Sequence, residues 1–416
     1  MIVLIADAFE ESGLTALRTA GCDVRHDASL KNATLDAALR ETRAEVLVVR
    51  STKVTDAMMD GTALALIVRA GAGVNTIDVP AASRRGIYVS NCPGRNAVAV
   101  AELTMALLLA IDRRLPDNVA DLRAGRWNKS EYAKADGVAG RTLGVLGAGA
   151  IACEVIRRAA AFEMPVVIWS RRFDGRNGPM SASDLRALDL EGAARQVPVC
   201  SAPTPLDVAA RSDALSVHLA LSPETQGLVG PQVLSALRDG AVFINTSRAE
   251  VVDAAALTAA VRDRGIRAGL DVFAQEPTAG TGAFDDPIVH VGQVYGTHHI
   301  GASTAQAQEA IATETARIVT TFMRTGQVPN VVNLAKRSPA THRLIVRHRD
   351  RPGVLAHVFD QLRRHAINAQ ETENVVFAGA EAAIARINLD AAPDADALAA
   401  IRAGHPDVLT ADVVGL

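Results

Sequence analysis

Lysine is almost missing from this chain, which has 5 lysines against 38 arginines in 416 residues. Arginine pairs therefore arise from composition alone, and the formal net charge of −3 leaves no basic face for nucleic acid. Cysteine is scarce as well. Cys22, Cys92, Cys153 and Cys200 show no C-x-x-C spacing and no paired framework, so reduced structural thiols and no bound metal are expected. Long apolar runs are lacking too. The opening MIVLIADAFEES reaches acid at once and reads as a first strand, not a signal peptide. No run is long enough to span a bilayer, so the expected partners include neither membrane nor nucleic acid, and the expected location is cytoplasmic.

What is present is a globular composition, 49% hydrophobic, long enough for two or three domains with their own cores. The chain is organised around residues 140–172, GRTLGVLGAGAIACEVIRRAAAFEMPVVIWSRR. Leu143, Val145 and Leu146 form a short apolar run that stops at Gly147, which predicts a strand and then a tight turn. Gly149 has no side chain to keep a pyrophosphate from the backbone, and Ala152 is small enough for close helix–strand packing. A helix from about Ala150 to Ala161 would aim its free N–H groups at that phosphate. With a second strand at Pro165–Trp169, the context is that of a dinucleotide site and not of an ordinary glycine turn.

The tip of that second strand normally carries Asp or Glu, which binds the ribose hydroxyls. Here Ser170, Arg171 and Arg172 stand in its place. A carboxylate would repel a 2′-phosphate, whereas a hydroxyl followed by guanidinium groups would hold it. The expected cofactor is therefore NAD(P), with NADP(H) favoured over NAD(H).

The remaining chain falls into an α/β order. Residues 1–98 alternate strand and helix (IVLIA, EVLVVRS, ALIVRAG, GIYVSN), which predicts a doubly wound parallel sheet. Its strands end in loops at 50–52, 70–74 and 91–96, the natural ligand contacts of such a sheet. A long apolar helix runs from Ala97 to about Leu115, and a polar crossing, GRWNKSEYAKADGVAG, leads to the nucleotide unit. Strands continue through DALSVHLAL, GAVFINTSR, GIRAGLDVF and IVHVGQVYG, and a helix over 300–328 could pack back on the first sheet. The domains expected are 1–98 with 299–333 for substrate, 99–298 for the nucleotide, a linker over 334–341, and 342–416. That last stretch reads βαββαβ, a ferredoxin-like order without a catalytic cluster.

Three strand-end stretches of the nucleotide half look like one site: Arg248 in GAVFINTSR, Asp271 and Glu276 in GLDVFAQEP, and His298-His299 in VYGTHHIGAST. Reducing a 2-keto acid needs a cation to grip the carboxylate, an acid to protonate the oxygen, and an anion to keep that acid charged. Arginine, histidine and glutamate supply these at neutral pH. Singly, each is more often a surface charge, a turn or a satisfied hydrogen-bonder; their joint placement beside a dinucleotide fold is what points to chemistry.

The blocks RAGAGVNTID, VAELTMALLLAIDR, GRTLGVLGAGAIA, INTSRAEVVD, GLDVFAQEP and HIGAST resemble the D-isomer-specific 2-hydroxyacid dehydrogenases, and within them the phosphoglycerate dehydrogenases. The last 75 residues resemble the ACT domain that follows many of those enzymes. The resemblance implies two doubly wound domains, flavodoxin-like and Rossmann, and hydride transfer between 3-phosphoglycerate and a nicotinamide, giving 3-phosphohydroxypyruvate. It implies Arg248 as the carboxylate-binding arginine, Glu276 as the partner of the histidine and His299 as the general acid/base. Ala150, Ile151, Thr246 and Ser247 would touch the cofactor, with Asp271 facing its nicotinamide side. Arg50, Ser51, Gly73, Val74 and Asn96 would line the substrate pocket, Arg50 taking a phosphate, with Lys129 a further candidate. His348, Asp350 and Asn368 fall where serine-binding relatives hold their effector, although Asp350 stands where a related enzyme has Asn. A homodimer or homotetramer is expected.

The family usually has proline before its histidine; here His298 occupies that place, and His299 is chosen because Ile300-Gly301 follow it. Two alternatives stay open: an NADPH-dependent glyoxylate or hydroxypyruvate reductase, and a non-catalytic nucleotide-sensing corepressor on the same fold.

Overall fold

Short apolar runs, most of them four residues long, build two largely parallel sheets. The computed structural model describes residues 1–277 and 281–416. Its first sheet contains β1 (Ile2–Ile5), β2 (Asp23–His26), β3 (Val46–Val49), β4 (Leu66–Arg69) and β5 (Tyr88–Asn91), all parallel, in the order β2-β1-β3-β4-β5. The polar edge strand β2 is not legible as an apolar run. Three of its four residues are exposed, so it needs only a neighbour's backbone.

The second sheet contains β6 (Leu143–Leu146), β7 (Val166–Trp169), β8 (Gly178–Pro179), β9 (Val199–Ser201), β10 (Ala214–Val217), β11 (Val242–Asn245), β12 (Arg267–Leu270) and β13 (Val294–Gly296). Their order is β13-β12-β11-β10-β6-β7-β9-β8, parallel except for the short β8–β9 pair. β6, β7, β10 and β11 are buried throughout, as strands covered on both faces must be. The stretch IVH before β13 is a 3-10 turn, Pro287–His290, and not part of a strand. Pro287 fixes the first position, and the Asp286 side chain accepts from the Ile288 N–H, which starts a helical turn there.

Helix Ala97–Arg113 is buried along most of its length and ends where Arg114 turns into the left-handed region, φ +50°. The helix expected from Ala97 to about Leu115 thus ends at Arg113, and a second helix, Leu115–Arg123, begins at once with Pro116 in its first turn. Helix Ala305–Thr325 packs back on the first sheet: Ile311, Ile318 and Val319 join Val3, Ile5, Val48 and Val68 in one apolar cluster. The Asn333 side chain then bonds the Val89 N–H and the Ile87 carbonyl beside β5.

The chain divides into two compact units, Met1–Asn333 and Leu334–Leu416. The second unit contains β14 (His342–Arg349), helix Val354–Arg364, β15 (Ala369–Val376), β16 (Ala382–Leu389), helix Ala395–Ala403 and β17 (Val408–Gly415). Its antiparallel sheet has the order β15-β16-β14-β17. Leu344, Val346, Ala385 and Ile387 alternate toward Val358, Leu362 and Ile401 of the helices, which is the period-two pattern of a sheet covered on one face. Among the described residues no helix is long and apolar enough to cross a membrane.

Candidate functional site

β6 ends at Leu146 and the chain turns at Gly147, φ +113°, where any Cβ would strike the His218 carbonyl. Only glycine fits both the backbone angle and the space. Gly149 is the N-cap of helix Ala150–Ala161, with no side chain capping it, and a Cβ there would meet nothing within 4 Å. The first N–H groups of that helix, at Ala150 and Ile151, thus face an open crevice at the positive end of the helix dipole. Ser170 follows β7, is 9% exposed, and its Oγ is buried without a hydrogen-bond partner. His218, after β10, has a buried Nδ1 without a partner, while its Nε2 lies 2.8 Å from Ser216 Oγ. A bare turn, an uncapped helix and two unsatisfied polar atoms around one crevice fit a bound dinucleotide.

Arg171 and Arg172 are not bare charges. Arg171 approaches Glu224 to 3.8 Å, and Arg172 lies over the Phe173 ring, 3.8 Å from Asp184. Trp169 Nε1 meanwhile donates to Asp174 at 3.1 Å.

The carboxyl ends of the two sheets meet across the crevice. A Cβ on Gly94 would sit 3.7 Å from the Ala150 methyl, and one on Gly73 would collide with the Arg248 guanidinium. Gly73 is therefore the gap through which Arg248, from the end of β11, reaches the 71–74 loop. Arg248 Nη1 donates to the Ser247 carbonyl at 2.6 Å, Ser247 Oγ bonds Asn245 at 2.8 Å, and Thr246 Oγ1 lies 2.9 Å from Thr104 Oγ1. Val74 and Asn96 lie on the facing loops, and the Asn96 Oδ1 is buried without a partner.

Glu276 and His299 form a pair: Glu276 Oε2 lies 2.7 Å from His299 Nδ1, and Glu276 Oε1 accepts from the Phe273 N–H at 2.9 Å. Burial would push the Glu276 carboxyl up, but the hydrogen bonds from His299 and Phe273, with the charges of His299 and Arg248, outweigh it and hold it below its usual range. His299 sits at φ +51°, a conformation histidine tolerates better than most side chains. Asp271, 1% exposed, spends both oxygens on the same segment, accepting from Thr297 Oγ1 at 2.6 Å and from the Ile300 and Gly301 N–H groups at 2.9 and 2.8 Å. Its carboxylate clamps the chain that carries the histidine.

Two residues that the sequence reading passed over complete the site. Asp7, after β1, accepts from the N–H groups of Arg50, Ser51 and Thr52 at 2.7, 3.1 and 3.1 Å and from Ser51 Oγ at 2.8 Å. Those amides and that hydroxyl are spent on Asp7, which leaves the Arg50 guanidinium as the loop's cationic donor. Arg69 ends β4, and its buried Nε has no partner. Burial, and then the like charges of Arg248 and Arg50, pull the Arg69 guanidinium down to about 10. Both residues stand at strand carboxyl ends, so the rule that picked out Arg50 could have found them.

Other expected residues are not brought together. Glu131, two residues beyond Lys129, bonds Arg114 at 2.5 Å, at the end of the Ala97–Arg113 helix away from Asn96. A helix of 17 residues separates those ends by roughly 25 Å. In the second unit, His348 is 1% exposed, with Nδ1 2.8 Å from the Arg349 carbonyl and Nε2 3.1 Å from Asn374 Oδ1. Asp350 is exposed in the turn after it. Asn368 lies beside Leu389 and His342, at the opposite end of the strands, and its N–H donates to Asp390 at 2.9 Å. One copy of the unit does not gather these three side chains.

Taken together, two sheets whose carboxyl ends face each other across a glycine turn define a dinucleotide-binding fold with a charged cleft. A sequence profile of the D-isomer specific 2-hydroxyacid dehydrogenase NAD-binding domain matches residues 105–301. The hydroxypyruvate reductase of Thermotoga maritima is 36% identical over 273 residues, covering 65% of this chain and 82% of that protein. The D-3-phosphoglycerate dehydrogenase of Mycobacterium tuberculosis is 36% identical over 336 residues, 80% of this chain but 59% of the relative's length. An NAD+-bound 3-phosphoglycerate dehydrogenase structure from Entamoeba histolytica superposes with a TM-score of 0.63 at 22% identity, covering 80% of this chain and 99% of that one. The chain belongs to the D-isomer-specific 2-hydroxyacid dehydrogenase family. It spans about three fifths of the phosphoglycerate dehydrogenases it matches.

Proposed function

We propose that the protein is a D-3-phosphoglycerate dehydrogenase, interconverting 3-phosphoglycerate and 3-phosphohydroxypyruvate. The observation that carries this reading is the group of Arg50, Arg69 and Arg248, with Asp7 as the carboxylate tied to its loop. A guanidinium that is buried first of all, and then set beside two further cations, is costly to keep charged unless a multiply charged anion answers the group. A phosphorylated 2-keto acid carries a carboxylate and a dianionic phosphate; hydroxypyruvate and glyoxylate carry one charge.

In this reading Arg248 grips the substrate carboxylate, and Arg50 and Arg69 take the phosphate. Glu276 holds His299 through Nδ1, which leaves Nε2 as the nitrogen that gives a proton to the carbonyl oxygen, or takes one back from the hydroxyl. The nicotinamide, when bound, supplies or accepts the hydride. The Ala150 end of its helix, Thr246 and Ser247 hold the dinucleotide. Ser170, Arg171 and Arg172 favour NADP(H), because Ser170 offers no carboxylate to repel a 2′-phosphate. The five-stranded sheet with residues 299–333 serves the substrate, residues 99–298 the cofactor, and the second unit is an ACT domain.

The test is initial rates with phosphohydroxypyruvate, hydroxypyruvate and glyoxylate, each with NADH and NADPH. We expect phosphohydroxypyruvate to have the highest kcat/KM, and Arg50→Ala and Arg69→Met to erase that preference. Equal losses on all three substrates would favour a simple glyoxylate or hydroxypyruvate reductase, the reading that the Thermotoga relative's name supports.

A further inference from the structure

Helix Ala305–Thr325 follows the histidine segment directly and carries one buried carboxylate with no place in the chemistry above. Glu314 is 4% exposed. Its Oε2 accepts from Arg95 Nη2 at 2.8 Å and Arg317 Nε at 3.0 Å, and its Oε1 from Arg317 Nη2 at 2.6 Å and Asn330 Nδ2 at 2.8 Å. Asn330 Nδ2 donates also to the Asn91 carbonyl at 3.2 Å, and Asn91 Nδ2 to the Ala72 carbonyl at 2.5 Å. Arg95 precedes Asn96, and Ala72 precedes Gly73.

We propose that Glu314 is a positioning residue for 2-keto acid binding, holding the 92–96 loop through Arg95 and the 71–74 loop through Asn330 and Asn91. Each loop must be placed closely. Gly73 has to leave room for Arg248, and Asn96, next to Arg95, carries a buried oxygen without a partner. A grip formed by groups from several loops loses its effect when one shifts by about an ångström. Stability alone does not call for Arg95. Arg317 and Asn330 already give the carboxylate three bonds, and Arg95, half-exposed, adds an anchor for its loop. The Arg317 bond foremost, against burial, with those from Asn330 and Arg95, holds Glu314 down to about 2, so the anchor stays charged throughout the neutral range.

The inference rests on the reading of these loops as the substrate's. It is tested in the full chain with Arg95→Met, Arg95→Lys and Glu314→Gln, measuring KM and kcat for phosphohydroxypyruvate, the Kd of NADPH by its fluorescence, and Tm. We expect Arg95→Met to raise KM about tenfold with kcat within about twofold, and to leave NADPH binding and Tm as in the wild type. Arg95→Lys should recover part of the affinity, and Glu314→Gln should raise KM further. A KM unchanged in Arg95→Met, with or without a fall in Tm, overturns the inference and leaves the substrate reading standing. A wild type that turns over no 2-keto acid overturns both.

Discussion

His299 combines a left-handed backbone, φ +51°, with a 2.7 Å contact to Glu276, and the Asp271 clamp on Ile300 and Gly301 is what holds it there. Loss of a proton donor at the reacting carbon costs roughly 10²–10⁴ in rate. His299→Gln should therefore nearly abolish kcat at unchanged NADPH affinity, while His298→Pro should keep kcat near wild type; reversed outcomes would move the acid to His298. A second histidine makes a different prediction. Desolvation pulls His218 from 6.5 down to about 3, so the folded protein resists a proton that the unfolded chain accepts. Its contribution is harmless above pH 6.5 and subtracts from stability as pH falls from 6.5 toward 3. Replacing it with Asn should flatten the fall in Tm between pH 6.5 and 4. A variant whose Tm falls as steeply as the wild type's would mean that carboxylates alone govern that range.

At the scale of elements, the proposed preference for NADP(H) rests on the end of β7. Ser170 cannot bind two ribose hydroxyls as a carboxylate would, and Arg171 and Arg172 follow where a 2′-phosphate would lie. Glu224 and Asp184 already lie within 3.8 Å of those guanidiniums, so the phosphate must compete for them. A charge-assisted contact contributes about 1.5–3 kcal/mol, roughly ten- to a hundredfold in specificity. Ser170→Asp with Arg171→Ala should shift kcat/KM toward NADH by about that factor, at constant kcat for the preferred cofactor. If the wild type already prefers NADH, the arginine pair is a solvated turn.

At the scale of the molecule, the chain closes one unit at Asn333 and begins another at Leu334, each with its own apolar core. A fragment ending at Asn333 keeps every residue assigned above to substrate and cofactor. It should fold cooperatively, bind NADPH and turn over phosphohydroxypyruvate at a rate close to that of the full chain. A fragment that unfolds, or that loses turnover while still binding NADPH, would show that the second unit completes the site.

The amino-acid sequence by itself determined the elements that stand on local physics. The β6 strand, the Gly147–Gly149 turn and the Ala150–Ala161 helix follow from an apolar run, glycine and periodicity, and the βαββαβ order of the last 75 residues follows in the same way. Arg248, Glu276 and His299 were legible only through their joint placement beside a dinucleotide turn, and Arg50 through its place in a loop after a strand; singly each reads as a surface charge or a turn. Only the tertiary structure decided what depends on pairing at a distance. Edge strand β2 has no apolar signal of its own; Arg69 gains its meaning from charges on other strand ends, Arg248 and Arg50, and Asp7 from N–H groups 43 to 45 residues away. Glu314 shows the reason most plainly. A carboxylate on an amphipathic helix reads as a solvated charge until the fold places an arginine 219 residues distant within 2.8 Å of it. Hydrogen bonds and desolvation act over a few ångströms of space, and nothing in local sequence records which distant residues will share them.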